Sequence, residues 1–344
     1  MDYYSIPDFL LLMQDLSLKG GKFSWIIFSY VFGLPDHHHA SLEFADVQVG
    51  TDNRLFVDPA RIHLAALAGY SWAMEADALI QSFFNTLYDA AAQRDFEAVR
   101  NLTIDTCGEL NETQLGLSRG APRGNGASFP LIFSAVYQMV EDGLFEKDAV
   151  NSIADIPVLA DRIDADRLSD WTTNIIWPVL RTFTFMQYEK YGLTIHPTSC
   201  VPRFFWDADF ATWRETSSHD LSCNGKRIWL CPKPFLHKRL LMSTEKFLKE
   251  QVIEYRQTVH LDNRSDLCRQ KELKDGSTIL MAPYKKDVYD AEIRGNSHTQ
   301  YARNYAKECP SLLHDYHHGF EYQPGKASYF ISDEELDEIL YPKD

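Results

Sequence analysis

The sequence predicts an α+β fold that is mostly helical and contains two or more β-hairpins. Long stretches with apolar residues at every third or fourth position predict helices, and two stretches of alternating residues predict hairpins. No strand–helix–strand alternation indicates a parallel sheet. The chain has 344 residues, of which 45% are hydrophobic, enough for one large domain or two ordinary ones. We predict a helical domain over residues 1–195, with an N-terminal hairpin, a glycine-rich loop and an acidic stripe, and a smaller α+β domain over residues 196–344.

The first elements are a hairpin and a group of helices. Apolar and polar residues alternate on both sides of the turn sequence GTDN, which predicts a hairpin over residues 44–57. Pro59 then begins a helical region that continues over residues 60–102. Glycine and charged residues interrupt its apolar pattern near Gly69 and Arg94, so we expect two or three packed helices there.

Two further helices are predicted before residue 195. One begins near Pro130 and ends around Gly143, at the end of the apolar sequence LIFSAVYQMVEDGLF. The other extends from about Asp164 to Tyr191. We expect it to bend at Pro178, because proline lacks the N–H group that the helical ladder needs.

After Gly192 the pattern of apolar residues changes from helical to strand-like. Two strand-like stretches flank Asn224-Gly225 in HDLSCNGKRIWLCPK, a pair that favours a tight hairpin turn. Residues 243–257 predict an amphipathic helix, with Ser243 as its N-cap. Helical segments continue over residues 286–313, and Ser332 is a cap-like residue before the acidic C-terminal sequence.

Charge and cysteine content restrict the class of protein. The net charge is −15, and residues 1–195 contain 13 Lys and Arg against 26 Asp and Glu. Residues 196–300 contain 17 basic against 14 acidic residues, which permits a local surface for nucleic acid, whereas the acidic first half permits a basic protein partner. A solvated surface with a chance local imbalance of charge is the favoured alternative to a binding groove. The six cysteines form no C-x-x-C pair, and no apolar run is long enough for a bilayer. We therefore predict a cytoplasmic protein with reduced thiols and no membrane association.

An acidic stripe is the first candidate site. In ADRLSDWTTN, residues Asp166, Asp170 and Asn174 follow one another at intervals of four and therefore share one edge of the predicted helix. Two carboxylates and an amide oxygen are hard ligands, which suit Mg²⁺ or Mn²⁺. The alternative is structural: Asp164 or Asp166 caps the helix, and Asp170 pairs with Arg167.

A glycine-rich segment is the second candidate site. It contains Arg119 and Arg123 beside Gly120 and Gly124, and it precedes the helix near Pro130. Backbone N–H groups and arginine side chains of this kind bind phosphate. The segment matches neither the P-loop nor the dinucleotide-binding pattern, and a plain connecting loop is the alternative.

Two acidic residues immediately before the glycine-rich segment add metal ligands. Glu109 and Glu112 can join Asp166 and Asp170 around a metal ion if folding brings the two segments together. Histidines occur in DHHH and HDYHH, but no cysteine or glutamate stands at a known catalytic spacing from them. For these histidines a surface cluster is favoured over a zinc site.

Several sequence segments resemble those of a set of bacterial proteins. The segments are FVDP, ELNETQLGLSRG with GNG, DRLSDWTTN, WLCPK and APYKKDVYD, in this order along most of the chain. Together they resemble uncharacterised bacterial proteins that are met near phage-defence genes. The resemblance implies a bacterial origin and a role in anti-phage defence, and it assigns no catalytic residue.

Two classes of function follow from these patterns. The first is a metal-dependent phosphodiesterase or nuclease, in which Glu109, Glu112, Asp170 and Asn174 are catalytic and the metal ligands are Glu112, Asp166 and Asp170. Arg119, Arg123, Gly120 and Gly124 bind phosphate in this hypothesis, and Mg²⁺ or Mn²⁺ is the cofactor. The second is a non-enzymatic interaction or sensor protein that binds a protein partner or a nucleotide, with the same polar residues forming a structural network.

Overall fold

The protein has the α+β architecture that its sequence predicts. The computed structural model describes residues 27–34, 39–104, 111–117, 128–193, 196–200, 203–216, 219–222 and 227–341. Its helices are α1 (Phe28–Val31), α2 (Pro59–Leu67), α3 (Ser71–Ala92), α4 (Phe96–Ile104), α5 (Ser128–Glu141), α6 (Ile156–Leu159), α7 (Ala165–Ile175), α8 (Trp177–Lys190), α9 (Thr244–Phe247), α10 (Ile253–Asp262), α11 (Lys285–Glu292), α12 (His298–Glu308), α13 (Ser311–Glu321) and α14 (Asp333–Leu340). The strands are β1 (Phe56–Val57), β2 (His196–Cys200), β3 (Arg203–Asp207), β4 (Thr212–Thr216), β5 (His219–Ser222), β6 (Leu236–His237), β7 (Arg269–Glu272) and β8 (Thr278–Met281).

Helix α3 is the centre of the helical part and packs against α2, α4, α5, α7 and α8. Its buried residues recur at intervals of three and four, as an amphipathic helix requires. They are Ala73, Ala76, Ile80, Phe83, Phe84, Leu87 and Ala91. The breaks predicted on either side of α3 are confirmed, because Gly69 and Arg94 have φ angles of 91° and 58°, in the left-handed region that ends helices.

The remaining helix predictions of the first half are also confirmed. Helix α5 covers the segment that begins near Pro130. The predicted long helix is divided at Ile176 into α7 and α8. Pro178 lies in the first turn of α8, where its missing N–H group removes no hydrogen bond.

Residues 44–57 do not form the predicted hairpin. Strand β1 pairs instead with β6, with Phe56 opposite His237. Side chains replace the expected partner strand: Asn53 Oδ1 accepts a hydrogen bond from the backbone N–H of Gln48, and Asn53 Nδ2 donates to the carbonyl of the same residue. The alternating pattern therefore reflects a buried polar loop rather than a ladder, because side-chain amides can substitute for strand partners.

Between residues 196 and 222 the structure describes two antiparallel pairs of strands. Strand β2 pairs with β5, and β3 pairs with β4 between them. The sequence predicts that the strand before Asn224-Gly225 pairs with the stretch after it, but β5 pairs with β2 instead. The turn itself lies outside the described residues. Trp206 of β3 and Trp213 of β4 contact Phe83 of α3, which fixes this strand pair to the helical part.

The predicted caps of the second half are confirmed. Ser243 accepts a hydrogen bond from the N–H group of Lys246 and begins a helical run through α9, a π-helical segment (Leu248–Val252) and α10. Ser332 and Glu335 form a reciprocal capping box at the start of α14. Strands β7 and β8 form an exposed hairpin between α10 and α11.

One continuous cluster of buried apolar side chains extends from Phe28 to Leu340 and includes residues on both sides of position 195. The acidic C-terminal helix α14 adds Leu336 and Leu340 to this core. Within the part of the chain that the structure describes, no helix combines the length and the apolar character needed to span a membrane.

Candidate functional site

A cleft of about 900 Å³ is the candidate site. It lies beside the N-terminal end of α7, with β1 on one side and the segment from β6 to α9 on the other. Leu117, the last described residue before the predicted phosphate loop, also lines it. This volume is in the range that holds a ligand of nucleotide size.

Five of the residues that line the cleft carry basic side chains. They are Arg54, Arg61, Lys238, Arg239 and Lys246. Arg61 is buried against the carboxylate of Asp58, and Lys238 pairs with Glu335 at 3.0 Å. Burial and the charge of Arg61 lower the pKa of His237 to about 4, so this imidazole adds no charge at neutral pH.

Two arginines of the cleft keep their charge unpaired. Arg54 and Arg239 are exposed, and neither guanidinium group forms an ion pair with any residue that the structure describes. Guanidinium groups bind the oxygens of phosphate in a planar, two-pronged geometry. The cleft therefore presents two cationic groups that are available to an anionic ligand.

Two carboxylates meet at the backbone of Gly116, and one of them, Asp166, lines the cleft. A Cβ atom at Gly116 would lie 3.2 Å from Asp166 Oδ1 and 3.5 Å from Asp52 Oδ2. The φ angle of Gly116 is 140°, a conformation that other residues rarely adopt. Glycine is therefore required here both by its conformation and by the approach of the two carboxylates.

Other carboxylates near Asp166 disfavour its ionised form. Burial raises the pKa of Asp166, and the nearby charges of Asp164 and Asp52 raise it further. Arg167 opposes this shift but is engaged by Asp164 at 2.6 Å. A cation placed between Asp52 and Asp166 would relieve this repulsion.

The structure separates the predicted acidic stripe. Asp166 lines the cleft, whereas Asp170 and Asn174 do not. Asn174 Nδ2 donates to the backbone carbonyl of Asp170 at 2.7 Å. Asp164 accepts a hydrogen bond from the N–H group of Arg167 and is the N-cap of α7, so this half of the structural alternative is confirmed.

Glu112 is held elsewhere by an arginine. Its carboxylate accepts a hydrogen bond from Arg203 at 2.8 Å, and the Arg203 guanidinium group also lies over the ring of Trp177. Glu112 is not among the residues that line the cleft. The other residues predicted for this site, Glu109, Arg119, Gly120, Arg123 and Gly124, lie outside the described residues.

The donor set of the described residues fits Mg²⁺ or Mn²⁺ better than zinc. Within the described ranges, no group of three or more His, Cys, Asp or Glu side chains is arranged to hold a metal ion. Asp52 and Asp166 supply two carboxylates. Magnesium is bound in many sites by one or two carboxylates and retains several waters, whereas structural zinc requires four protein ligands.

Sequence reasoning missed part of this site. Asp52 and Arg54 lie in the segment that predicts a hairpin, and this pattern gives no indication of a functional site. Arg239 lies in the basic region after residue 196, where the charge asymmetry was the only signal. That signal locates a region but no residue.

Comparison with known proteins gives a family and no activity. No curated protein and no solved structure matches the chain. A family model described as a domain of unknown function (DUF8370) matches residues 33–243, which include Asp52, Asp166 and Arg239. Because the match covers more than half of the chain, the protein belongs to the DUF8370 family.

Proposed function

We propose that the protein is a metal-dependent phosphodiesterase or nuclease whose substrate phosphate binds in the cleft. The observation that carries the proposal is the presence of two unpaired guanidinium groups, of Arg54 and Arg239, in the same cleft as the carboxylate of Asp166. Cations that bind a phosphate and carboxylates that bind a metal are the two parts that metal-assisted hydrolysis requires.

Each group has a distinct task in this proposal. Asp166 and Asp52 would hold Mg²⁺ or Mn²⁺, and the ion would supply activation of a water molecule. In the hydrolysis the water oxygen would form the new bond to phosphorus, the bond to the leaving oxygen would break, and a proton from the water would pass to the leaving group. Arg54 and Arg239 stabilise the negative charge on the phosphate.

The part of the glycine-rich segment in this proposal rests on its sequence alone, because the segment lies outside the described residues. Arg119, Gly120, Arg123 and Gly124 are proposed to bind the phosphate. Glu109 remains a proposed ligand. The proposed catalytic roles of Glu112, Asp170 and Asn174 require these side chains to reach the cleft when substrate binds.

A second function is nucleotide binding without hydrolysis. Two observations favour it: Arg203 forms an ion pair with the carboxylate of Glu112, and the described residues contain no group of three side chains that could hold a metal ion. In this case the protein is a sensor, and its acidic N-terminal half binds a basic protein partner. For both functions we propose a cytoplasmic location and a role in anti-phage defence.

The two functions are separated by measuring turnover and binding together. We would incubate the full chain with single-stranded DNA, RNA, plasmid and nucleotides, with Mg²⁺, Mn²⁺ or EDTA. Asp166→Asn is expected to lower kcat by about 100-fold, and Arg239→Ala to raise KM. The controls are Asp262→Asn and Arg294→Ala, which change exposed residues that do not line the cleft, although Arg294, unlike Arg239, pairs with Asp290.

The outcomes are distinct. Metal-dependent hydrolysis that Asp166→Asn removes and Asp262→Asn preserves supports the enzyme. Saturable nucleotide binding that requires Arg54 and Arg239, without turnover, supports the sensor. Absence of both binding and hydrolysis with every substrate overturns the assignment of the cleft to phosphate ligands.

A further inference from the structure

The β7–β8 hairpin projects from the surface of the protein. Every residue from 270 to 280 is exposed, and the two residues at the base of the hairpin are partly buried. A two-stranded hairpin that packs against nothing is at best marginally stable in water. The exposed part nevertheless carries the large apolar side chains of Leu273, Ile279 and Leu280. Such a projection contributes little to the core and is suited to contact a partner.

The two faces of this hairpin differ in charge. Residues that stand opposite each other in an antiparallel pair place their side chains on the same face, and the faces alternate along each strand. Arg269 stands opposite Met281, and Lys271 stands opposite Ile279. These four residues form one face, which we call the cationic face. The acidic residue of the two strands, Glu272, lies on the opposite face.

The side chain of Arg269 is held in one orientation. Its guanidinium group lies 3.7 Å from the centroid of the Tyr284 ring, and its Nε donates to the carbonyl of Ala282 at 2.9 Å. No carboxylate among the described residues forms an ion pair with it. Because the group is already positioned, a ligand that binds it loses less conformational entropy than one that binds a free side chain.

Further cations surround the cationic face. Arg264 precedes the hairpin, Lys274 lies in its turn and Lys286 follows it, and all three are exposed. None of the three forms an ion pair with a carboxylate in the part of the chain that the structure describes. Residues 264–286 contain six Lys and Arg against three Asp and Glu, although the net charge of the whole chain is −15.

The three acids of this segment do not belong to the cationic face. Glu272 is on the opposite face, and Asp275 accepts hydrogen bonds from the N–H and hydroxyl groups of Ser277 in the turn. Asp266 precedes β7. The field over the cationic face is therefore locally positive, and a local field of this sign attracts a polyanion even to an acidic protein.

The shape of the hairpin selects among polyanions. The major groove of B-DNA is about 12 Å wide and admits a two-stranded ribbon, and a ribbon that is exposed on both faces is free to enter it. The major groove of double-stranded RNA is too narrow for such an entry. Single strands bind in grooves of the protein surface, whereas this hairpin is convex.

We propose that the β7–β8 hairpin binds duplex DNA, with its cationic face turned toward the floor of the major groove. Arg269 donates to base edges, where guanine offers two acceptors, and Ile279 contacts the methyl group of thymine. Lys271 and Lys274 contact phosphates on the walls of the groove.

This surface is separate from the cleft. Thr244 and Lys246 line the cleft at the start of the helical run that ends at Asp262. A helical run of this length extends about 28 Å. Binding of duplex DNA by the hairpin therefore requires neither the metal nor the phosphate chemistry proposed for the cleft, and each of the two proposals can fail alone.

Fluorescence anisotropy of the full chain with a labelled duplex of about two helical turns tests the proposal. EDTA is present, so that metal-dependent cleavage does not occur. Lys271→Gln/Lys274→Gln is expected to weaken binding at least about tenfold at 0.1 M NaCl and to reduce the slope of log affinity against log salt by about 1.8, because each phosphate contact contributes about 0.9.

A charge-matched variant controls for net charge. Lys147→Gln/Lys307→Gln removes two exposed lysines outside the hairpin and changes the net charge by the same amount. It is expected to leave both the affinity and the salt slope unchanged. Asp166→Asn, which changes the cleft, is also expected to leave duplex binding unchanged.

A second pair of variants tests which face binds. Ile279 and Leu280 are neighbours on opposite faces, with side chains of similar size that are 41% and 39% exposed. Ile279→Ser is expected to weaken duplex binding several-fold, and Leu280→Ser to leave it unchanged. This comparison involves no change of charge, and its two variants change solvent-exposed positions in the same way.

Competitors identify the ligand. Single-stranded DNA, double-stranded RNA and poly-L-glutamate are expected to compete at least about tenfold more weakly than unlabelled duplex DNA. Equal competition by either nucleic acid would overturn the assignment to the major groove, and equal competition by poly-L-glutamate would indicate an acidic protein partner.

Three other results would overturn the proposal. They are the absence of duplex binding, binding that Lys271→Gln/Lys274→Gln and its control weaken equally, and equal effects of Ile279→Ser and Leu280→Ser. Self-association that Ile279→Ser removes, without duplex binding, would assign the hairpin to a second copy of the chain.

Discussion

A buried ion pair at the start of α2 permits a quantitative stability prediction. Asp58 is the N-cap of this helix, and both its side chain and that of Arg61 are almost fully buried. Asp58 Oδ1 accepts from the N–H group of Ala60, while Oδ2 accepts from Arg61 and from the N–H group of Leu241. One carboxylate therefore satisfies three donors from two parts of the chain.

We predict that Asp58→Asn lowers the free energy of unfolding by about 3–5 kcal/mol. This is the range found when one partner of a buried ion pair is removed and the other charge remains. The amide offers only one acceptor oxygen, so its N–H groups would face donors on Arg61 or Ala60. Arg61 keeps the carbonyl groups of Tyr329 and Arg239 as partners, which places the expected value toward the lower end.

A second pair in the same protein provides a matched control. Asp164 is also a helix N-cap, and it also pairs with an arginine three residues later, Arg167. The Asp164 side chain is 52% exposed, compared with 2% for Asp58. Asp164→Asn is expected to cost about 0.5 kcal/mol or less, because exposed ion pairs contribute little.

The assay is urea unfolding, followed by tryptophan fluorescence at low and high salt. The cost of Asp58→Asn should persist at about 1 M NaCl, whereas that of Asp164→Asn should shrink, since salt screens exposed pairs far more than buried ones. If the two substitutions cost the same, or if salt removes the Asp58 effect, then water reaches this pair and the reasoning from burial is refuted.

Three further changes test other features. His63 and His317 form hydrogen bonds with the carboxylates of Asp77 and Asp155. Because the folded-state pKa values of His63 and His317 are raised, the stabilisation from their charged forms is complete below about pH 6.5 and is lost as pH rises through the raised values. In the His63→Gln/His317→Gln variant, the free energy of urea unfolding should therefore depend less on pH over this range. An unchanged pH dependence would contradict the pairing of these histidines with carboxylates. Gly116→Ala should lower the melting temperature and weaken Mg²⁺ binding by calorimetry, because the added carbon meets Asp166 and Asp52; wild-type values for both would show that the loop adjusts freely. Burial raises the pKa of the Cys231 thiol to about 12, so mass spectrometry should find it alkylated far more slowly than Cys268, and equal rates would refute its burial.

The helices were predictable because their signals are local. The caps Ser243 and Ser332 and the breaks at Gly69 and Arg94 act within a few residues of their own positions, so the local sequence is sufficient to predict them. Strand pairing has no such local signal. Strand β1 pairs with β6, about 180 residues later in the chain, and a pattern that alternates over a few residues carries no information about its partner.

Recognition of the candidate site from the sequence was limited by the direction of α7. Residues at intervals of four share an edge of a helix, but each interval also advances about 6 Å along its axis. The cleft lies at the N-terminal end of α7, so Asp166 reaches it, whereas Asp170 and Asn174 lie one and two turns away from it.

The second carboxylate beside Gly116 belongs to Asp52, and a loop of the backbone places it there. Asn53 accepts a hydrogen bond at its carbonyl from Gly116, and its own N–H group donates to Gln114. These two bonds join the segment of Asp52 to the segment of Gly116 and bring its carboxylate opposite α7. A helical pattern identifies which residues share a face, but a loop that the pattern does not describe decides which of them meets a second charge.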